Sequence, residues 1–135
     1  MLHVEPHGAF SVLVLVWRPG QFTSIHDHVC WGAVGVVAGV EHEVRYALHR
    51  RGGHLQLVER DQSDSFPGQV TGFAPPGDIH QVRNNGADVA VSLHIYGADI
   101  GARGSSVRRT YPASLRRTPG GGPHRVISGR SAAYR

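Results

Sequence analysis

The chain of 135 residues has no lysine, a single cysteine and no acidic residue after Asp99. Each shortage removes a class of protein. One thiol, Cys30, excludes an intramolecular disulfide. The first residues, "MLHVEPHGAF", carry no basic stretch followed by an apolar core, so no secretory leader is read here and a reducing cytoplasm is the expected compartment. The longest apolar run, Val12 to Trp17, is far short of the roughly 20 residues a bilayer-spanning helix needs, so no membrane partner is expected. No segment holds a sustained helical period, and no internal repeat is present.

All 14 basic residues are arginine, and they are unevenly placed. Residues 1–100 hold 6 Arg against all 10 Asp and Glu, net −4, whereas residues 101–135 hold 8 Arg and no acid, net +8. The positive charge therefore belongs to the end of the chain. No aromatic interleaving or recognition element accompanies it, so nucleic acid is not the expected partner. Binding through that arm would be steeply salt-dependent and would survive His26→Ala.

What is present is β structure. Short β-type runs separated by Gly, Pro, Asn and Asp recur as "AFSVLVLVW", "FTSIHDHV", "GAVGVVAGV", "EHEVRYAL", "HLQLVER", "QVTGFAP", "IHQVRN", "DVAVSLHIY" and, late, "HRVIS". Eight or nine such strands predict an all-β jelly-roll barrel, the cupin architecture among them, with the barrel over 1–100. Residues 101–123, rich in Gly, Ser, Pro and Arg, read as a loop of the same domain, and 124–135 as a terminal strand and tail. In "SVLVLVW" both alternating sets, Val12, Val14, Val16 and Leu13, Leu15, Trp17, are apolar, so both faces of that strand need cover. A second sheet, a homo-oligomer partner or residues upstream of Met1 would have to supply it.

Ten histidines in a chain of this length produce roughly 0.7 His-x-His pairs by accident, so "SIHDH" alone is a weak signal. On a strand, however, His26 and His28 share a face with Asp27 opposite, as two adjacent metal ligands require. Gly20, five residues, His26, His28, Gly32, six residues and Gly39 follow the first half of the cupin pattern, with Gly32 standing where that pattern has Glu. Pro75, Gly77, His80 and Asn84 follow its second half, P-x-G-x2-H-x3-N, whose random expectation here is on the order of one in a thousand. His26, His28 and His80 are therefore the candidate metal ligands. Without the carboxylate, three neutral imidazoles leave a divalent ion its full charge and three adjacent open positions. Imidazole suits iron, zinc, copper and nickel alike.

A second set lies in "VSLHIYG", where Ser92, His94 and Tyr96 alternate and so share a face. Three polar side chains facing inward need partners, and a hydrogen-bonded chain from Ser to His to Tyr supplies them; a wet face is the alternative. Together "SIHDH", "GDIHQVRN" and "SLHIYG" resemble the cysteine dioxygenase superfamily of mononuclear iron thiol dioxygenases. "VWRPGQFTSIHDHVCWGAVGVVAG", "YGADIGA" and "ISGRS" are most similar to its bacterial 3-mercaptopropionate dioxygenase branch. The resemblance implies that His26, His28 and His80 ligate one Fe(II) and that Ser92, His94 and Tyr96 form a triad beside it. It also implies that dioxygen is the co-substrate and that both its atoms join a small thiol carboxylate, 3-mercaptopropionate or cysteine, to give a sulfinic acid. Binding of the thiolate to the cation lowers the thiol pKa, so no protein base is required. Tyr96, held by His94, would then donate a hydrogen bond to the bound substrate or oxygen species.

Some positions depart from relatives. Cysteine dioxygenases of mammals carry a Cys cross-linked to the triad Tyr; Gly32 fills that slot here and Cys30 is offset, so Cys30 reads as a small packing residue and no cross-link is expected. One substrate-carboxylate anchor of relatives lies upstream of the first strand, as do helices that cover "SVLVLVW". Another is an Arg after the triad Tyr, whose slot falls near Ser105, leaving Arg103, Arg108 and Arg109 as candidates. His42, His49, His54 and His124 read as strand or loop residues, with His42, Glu41 and Glu43 a minor alternative metal locus, and Trp17 and Trp31 as packing residues. The competing function is a metal-binding cupin module, or inactive relative, without dioxygenase activity.

Overall fold

The computed structural model describes residues 1–117. Its strands are β1 (His3–Val4), β2 (Ser11–Trp17), β3 (Ile25–His28), β4 (Gly32–Ala38), β5 (Glu41–Arg51), β6 (His54–Ser65), β7 (Val70–Phe73), β8 (His80–Arg83), β9 (Ala90–Tyr96), β10 (Val107–Tyr111) and β11 (Arg116–Arg117). One helical turn, α1 (Ile100–Arg103), follows β9. A five-stranded sheet in the order β1-β2-β9-β4-β7 faces a six-stranded sheet in the order β10-β3-β8-β5-β6-β11. This is the expected all-β jelly-roll barrel of cupin type. Among the described residues no helix is long and apolar enough to cross a membrane.

The reading of 101–123 as a loop needs correction. Val107–Tyr111 pair antiparallel with β3, and Arg116–Arg117 pair parallel with β6, so the segment completes both edges of the six-stranded sheet. Its polar composition hides this because the pairing partner is about eighty residues away in sequence. The late "HRVIS" strand and His124 lie outside the described residues.

Alternation decides what each strand buries. On β2, Ser11, Leu13 and Trp17 are buried between the sheets. The other set points outward, with Val14 at 36% and Val16 at 62% exposure beside Leu93 and Ile95 of β9. The apolar outer face anticipated in "SVLVLVW" is thus open among the described residues. Trp17, Val82 and Ala90 close one end of the interior, and Leu13, Tyr96, Ala98 and Ile100, with Cys30 and Phe73 against them, close the other. A separate cluster of Ile25, Val44, Tyr46, Leu57 and Ile79 is closed by Tyr111 and Leu115, so the C-terminal segment covers the reverse face of β3 and β5.

Gly39 follows β4 with φ of 70°, and a Cβ there would meet Ala90 Cα at 2.7 Å. Only glycine lets the chain turn this tightly against β9. The turn drops Glu41, the first residue of β5, directly opposite Ser92.

Candidate metal centre

Three imidazoles meet inside the barrel. β3 supplies His26 and His28 from one face, and the pairing of β3 with β8 sets His80 opposite His26. Ring centroids are 4.7, 4.7 and 4.9 Å apart, with planes inclined at 62 to 70°. One nitrogen from each ring lies within 4.8 Å of the other two, and all three residues are buried.

Which nitrogens converge follows from what holds the others. His26 Nδ1 lies 2.8 Å from the Ser24 carbonyl, which can only accept, so Nδ1 carries the proton. His28 Nδ1 donates to Asp78 Oδ2 at 2.9 Å, and the same oxygen accepts the His28 backbone N–H. His80 Nδ1 donates to Glu43 Oε1 at 2.6 Å. Each ring therefore turns a bare Nε2 lone pair inward, and the Nε2 atoms of His26 and His28 stand 3.2 Å apart. Two lone pairs at that distance repel unless a cation lies between them. Burial, reinforced by the charge of His80, lowers the pKa of His26 to about 4, and burial with both neighbouring rings lowers His28 to about 3. Imidazoles that each turn an Nε2 lone pair inward are the donor set a divalent metal takes, with carboxylate or carbonyl partners behind each ring. The residues present fit a mononuclear metal.

Gly32 explains the missing carboxylate. A Cβ there would lie 2.2 Å from the Phe73 ring, which stacks on His28 with centroids 4.0 Å apart. Phe73 occupies the space that a Glu at position 32 would need. Sequence reasoning gave Phe73 no part in the site, placed Glu43 in a different locus, and did not pair Asp78 with His28, because each of these contacts joins strands or loops distant in the chain.

Ser92, His94 and Tyr96 are all buried and linked as alternation predicts, with Ser92 Oγ 2.9 Å from His94 Nε2 and His94 Nδ1 3.2 Å from Tyr96 Oη. The Tyr96 ring lies 6.1 Å from that of His28, next to the imidazole cluster. Burial pushes its hydroxyl pKa up. Trp17, read as packing, also donates from Nε1 to Ser92 Oγ at 3.1 Å. Glu41 accepts a hydrogen bond from Ser92 Oγ, a contact between the two sheets that the sequence reading lacked.

The minor alternative locus does not assemble. Glu41 turns to Ser92, Glu43 to His80, and His42, on the opposite face of β5, to Asp64 at 2.6 Å. His49 and His54 are exposed at the far end of the β5–β6 hairpin.

The three candidate arginines separate. A bulge in β10 between Val107 and Arg109 lets both Arg108 and Arg109 reach Asp27 Oδ2, at 3.1 and 2.7 Å, on the face of β3 opposite the imidazoles. Although burial pushes the Asp27 carboxyl up, these arginines and the Tyr111 hydroxyl outweigh it and hold it below its ordinary value. Arg108 and Arg109 thus bind β10 to β3 rather than entering the imidazole cluster. Arg103 ends α1, pairs with no carboxylate among the described residues, and its charge is felt at the Cys30 thiol. Cys30 packs against Tyr96 and its neighbours, and burial raises its pKa, as suits a packing residue. Trp31 is about half exposed and lies across Gly97, where a Cβ would come within 2.1 Å of its Nε1. A cavity of about 290 Å³ backs His80, but Glu43, Asp61 and Asp78 outnumber Arg45 and Arg60 there, so it is not shaped for an anion.

Comparison with known proteins places this geometry. Oxalate decarboxylase of Bacillus subtilis shares the fold, with a TM-score of 0.53 at 20% identity over 68% of this chain and 22% of that one. Its W96Y variant gives 0.52 at 20% identity over the same shares. The Cupin_2 domain of an XRE family transcriptional regulator from Enterobacter cloacae matches at 18% identity over 67% of this chain and 83% of that one, with a TM-score of 0.47. Residues 1–101, which hold all three imidazoles and the whole Ser-His-Tyr set, match the family described as Cysteine dioxygenase type I, and the chain belongs to that family.

Proposed function

We propose that the protein is a non-haem Fe(II)-dependent thiol dioxygenase that converts a small thiol carboxylate, 3-mercaptopropionate or cysteine, and one dioxygen molecule into the corresponding sulfinic acid. One observation carries the reading: three buried histidines have their Nδ1 protons engaged elsewhere and turn three bare Nε2 atoms together. His26, His28 and His80 would hold the metal, whose chemistry when bound is the activation of dioxygen toward sulfur. Family membership supports that reaction. Burial of the three imidazoles lowers the dielectric around them, which strengthens each polar contact they make. Tyr96 would hold the sulfur end of the substrate through its hydroxyl, with His94 and Ser92 orienting it; its ring lies beside that of His28, which supports this role.

Of the three arginine candidates, Arg103 is the proposed carboxylate anchor. Arg108 and Arg109 are engaged by Asp27, while Arg103 follows Tyr96 closely in the chain and its charge is felt at Cys30, which packs against the cluster that contains Tyr96. The test is oxygen consumption by the Fe(II)-loaded protein against a panel of thiol acids, with sulfinate quantified. Uptake matched one to one by sulfinate supports the proposal. Metal binding without oxygen uptake on any thiol acid refutes it and leaves a metal-binding cupin module. Arg103→Ala raising KM for thiol acids, but not for an uncharged thiol, supports the anchor.

A further inference from the structure

The hydrogen bonds behind Tyr96 can be counted proton by proton. Ser92 Oγ is fully buried and has three partners: Trp17 Nε1, His94 Nε2 and Glu41 Oε1. A hydroxyl has one proton to give and two lone pairs to receive. Trp17 can only donate, so it takes one lone pair permanently. The remaining lone pair and the single proton are divided between His94 and Glu41, and that division can be made in two ways.

With Glu41 as carboxylate, it has no proton to give, so Ser92 donates to Glu41 and must accept from His94 Nε2–H. A neutral His94 then has a bare Nδ1, which accepts the Tyr96 hydroxyl proton across 3.2 Å. The Tyr96 oxygen consequently turns its lone pairs away from His94. With Glu41 as carboxylic acid, every bond reverses: Glu41 donates to Ser92, Ser92 to His94 Nε2, and His94 Nδ1–H to Tyr96, whose own proton points into the site. All three demands on Ser92 are met in both arrangements. The two differ by one proton.

Glu41 is also the buried carboxylate that nothing else claims. Among the described residues, Asp27 is paired with Arg108 and Arg109, Asp78 with His28 and Glu43 with His80, whereas Glu41 has only Ser92 and, at 3.9 Å, His94. Burying an acid whose one close hydrogen bond is to a serine hydroxyl is costly, and an apolar residue would fill the place at less cost. Glu41 begins β5 just after the tight turn at Gly39.

We infer that Glu41 is the terminal proton acceptor of a wire running Tyr96, His94, Ser92, Glu41, through which the substrate thiol loses its proton. This rests on the thiol dioxygenase reading above. The S–H bond breaks with its electron pair kept on sulfur, and that proton passes to Tyr96 Oη. The Tyr96 proton passes to His94 Nδ1, the His94 Nε2 proton to Ser92 Oγ, and the Ser92 proton to Glu41 Oε1. The sum is thiol plus carboxylate giving thiolate plus carboxylic acid, with no oxidant consumed. Burial disfavours a lasting tyrosinate, so Tyr96 passes the proton on instead of keeping it. When transfer is complete its hydroxyl points at the new thiolate as a donor. A cation makes the thiol acidic, and this wire gives the released proton somewhere to go.

The decisive readout needs neither metal nor turnover. Nitrogen-15 NMR of the histidine rings in the metal-free protein, full chain, distinguishes the tautomers of His94. The wild type is expected as the Nε2–H tautomer. Glu41→Leu leaves Ser92 no acceptor but His94, and is expected to switch the ring to Nδ1–H. Glu41→Gln keeps size and an acceptor oxygen but cannot take the proton, and should lower kcat about 10²-fold with KM and Fe(II) affinity unchanged. An identical His94 tautomer in wild type and Glu41→Leu overturns the inference. So does a switched tautomer with wild-type kcat in Glu41→Gln. A wild type that oxidises no thiol sinks the functional reading, and with it the thiol as proton source, while the NMR result separately decides whether Glu41 sets the direction of the wire.

Discussion

Removing Asp78 tests how the imidazole cluster is held. Its Oδ2 accepts both the backbone N–H and the Nδ1–H of His28, at 2.9 Å each, in a place where neither side chain reaches water. Asp78→Ala leaves two buried donors unpaired at about 1–3 kcal/mol each, so the metal-free protein should lose about 2–6 kcal/mol. With His28 free to rotate and to change tautomer, Fe(II) affinity should fall about 10–100-fold. Asp78→Asn separates charge from hydrogen bonding. Its carbonyl can accept both bonds, and its amide would take the position of Oδ1, which is buried without a partner. The amide adds an unpaired donor there, so the asparagine variant should lose about 1–3 kcal/mol, less than the alanine variant, and lose less metal affinity than it. Urea denaturation of the metal-free proteins and anaerobic Fe(II) competition against a chelator measure the two effects. Asp78→Ala with wild-type denaturation midpoint and wild-type affinity would refute the reasoning.

Tyr96→Phe should retain iron while losing thiol turnover; metal analysis and oxygen uptake on the same sample check this, and undiminished turnover contradicts the role given to the hydroxyl. Gly32→Ala should cost about 1–3 kcal/mol, because its new methyl overlaps the Phe73 ring. In a double-mutant cycle Phe73→Ala should relieve that cost, whereas strict additivity would show that the ring does not fill the space. The metal-free fold should also be acid-sensitive. Folded His26 and His28 resist protonation down to about 4 and about 3, while unfolded histidines titrate near 6.5. Protons therefore bind the unfolded chain preferentially: stability is complete above pH 6.5 and declines as the pH falls through that window. A urea midpoint at pH 5 equal to that at pH 7.5 would contradict the burial assigned to these rings.

The parts of this site that follow strand alternation were legible in the sequence. His26 and His28, and likewise Ser92, His94 and Tyr96, are spaced by two, so one strand fixes their common face. His80 was found through a loop-and-ligand spacing that a tight turn imposes. What escaped was whatever depends on which strands become neighbours. Glu41 reads as one acid in "EHEVRY" until β5 is known to begin across the barrel from β9, and grouping it with His42 and Glu43 ignored that position 42 faces the other way. Phe73 covers His28 because β7 pairs with β4 at the Gly32 register. Strand β10 looked like loop because polar residues form a strand readily only when an open edge, here that of β3, is offered to them. The arginines of that strand drew attention by their charge, yet their partner proved to be Asp27, the residue between the two histidines.

Anaerobic titration with Fe(II) of the wild type and of His26→Ala, His28→Ala and His80→Ala, each checked for folding, bears most directly on the central claim. Convergence of three bare Nε2 atoms predicts one iron per wild-type chain and a large loss of affinity in every single variant, His80→Ala included. Retention of wild-type affinity by His80→Ala would contradict it.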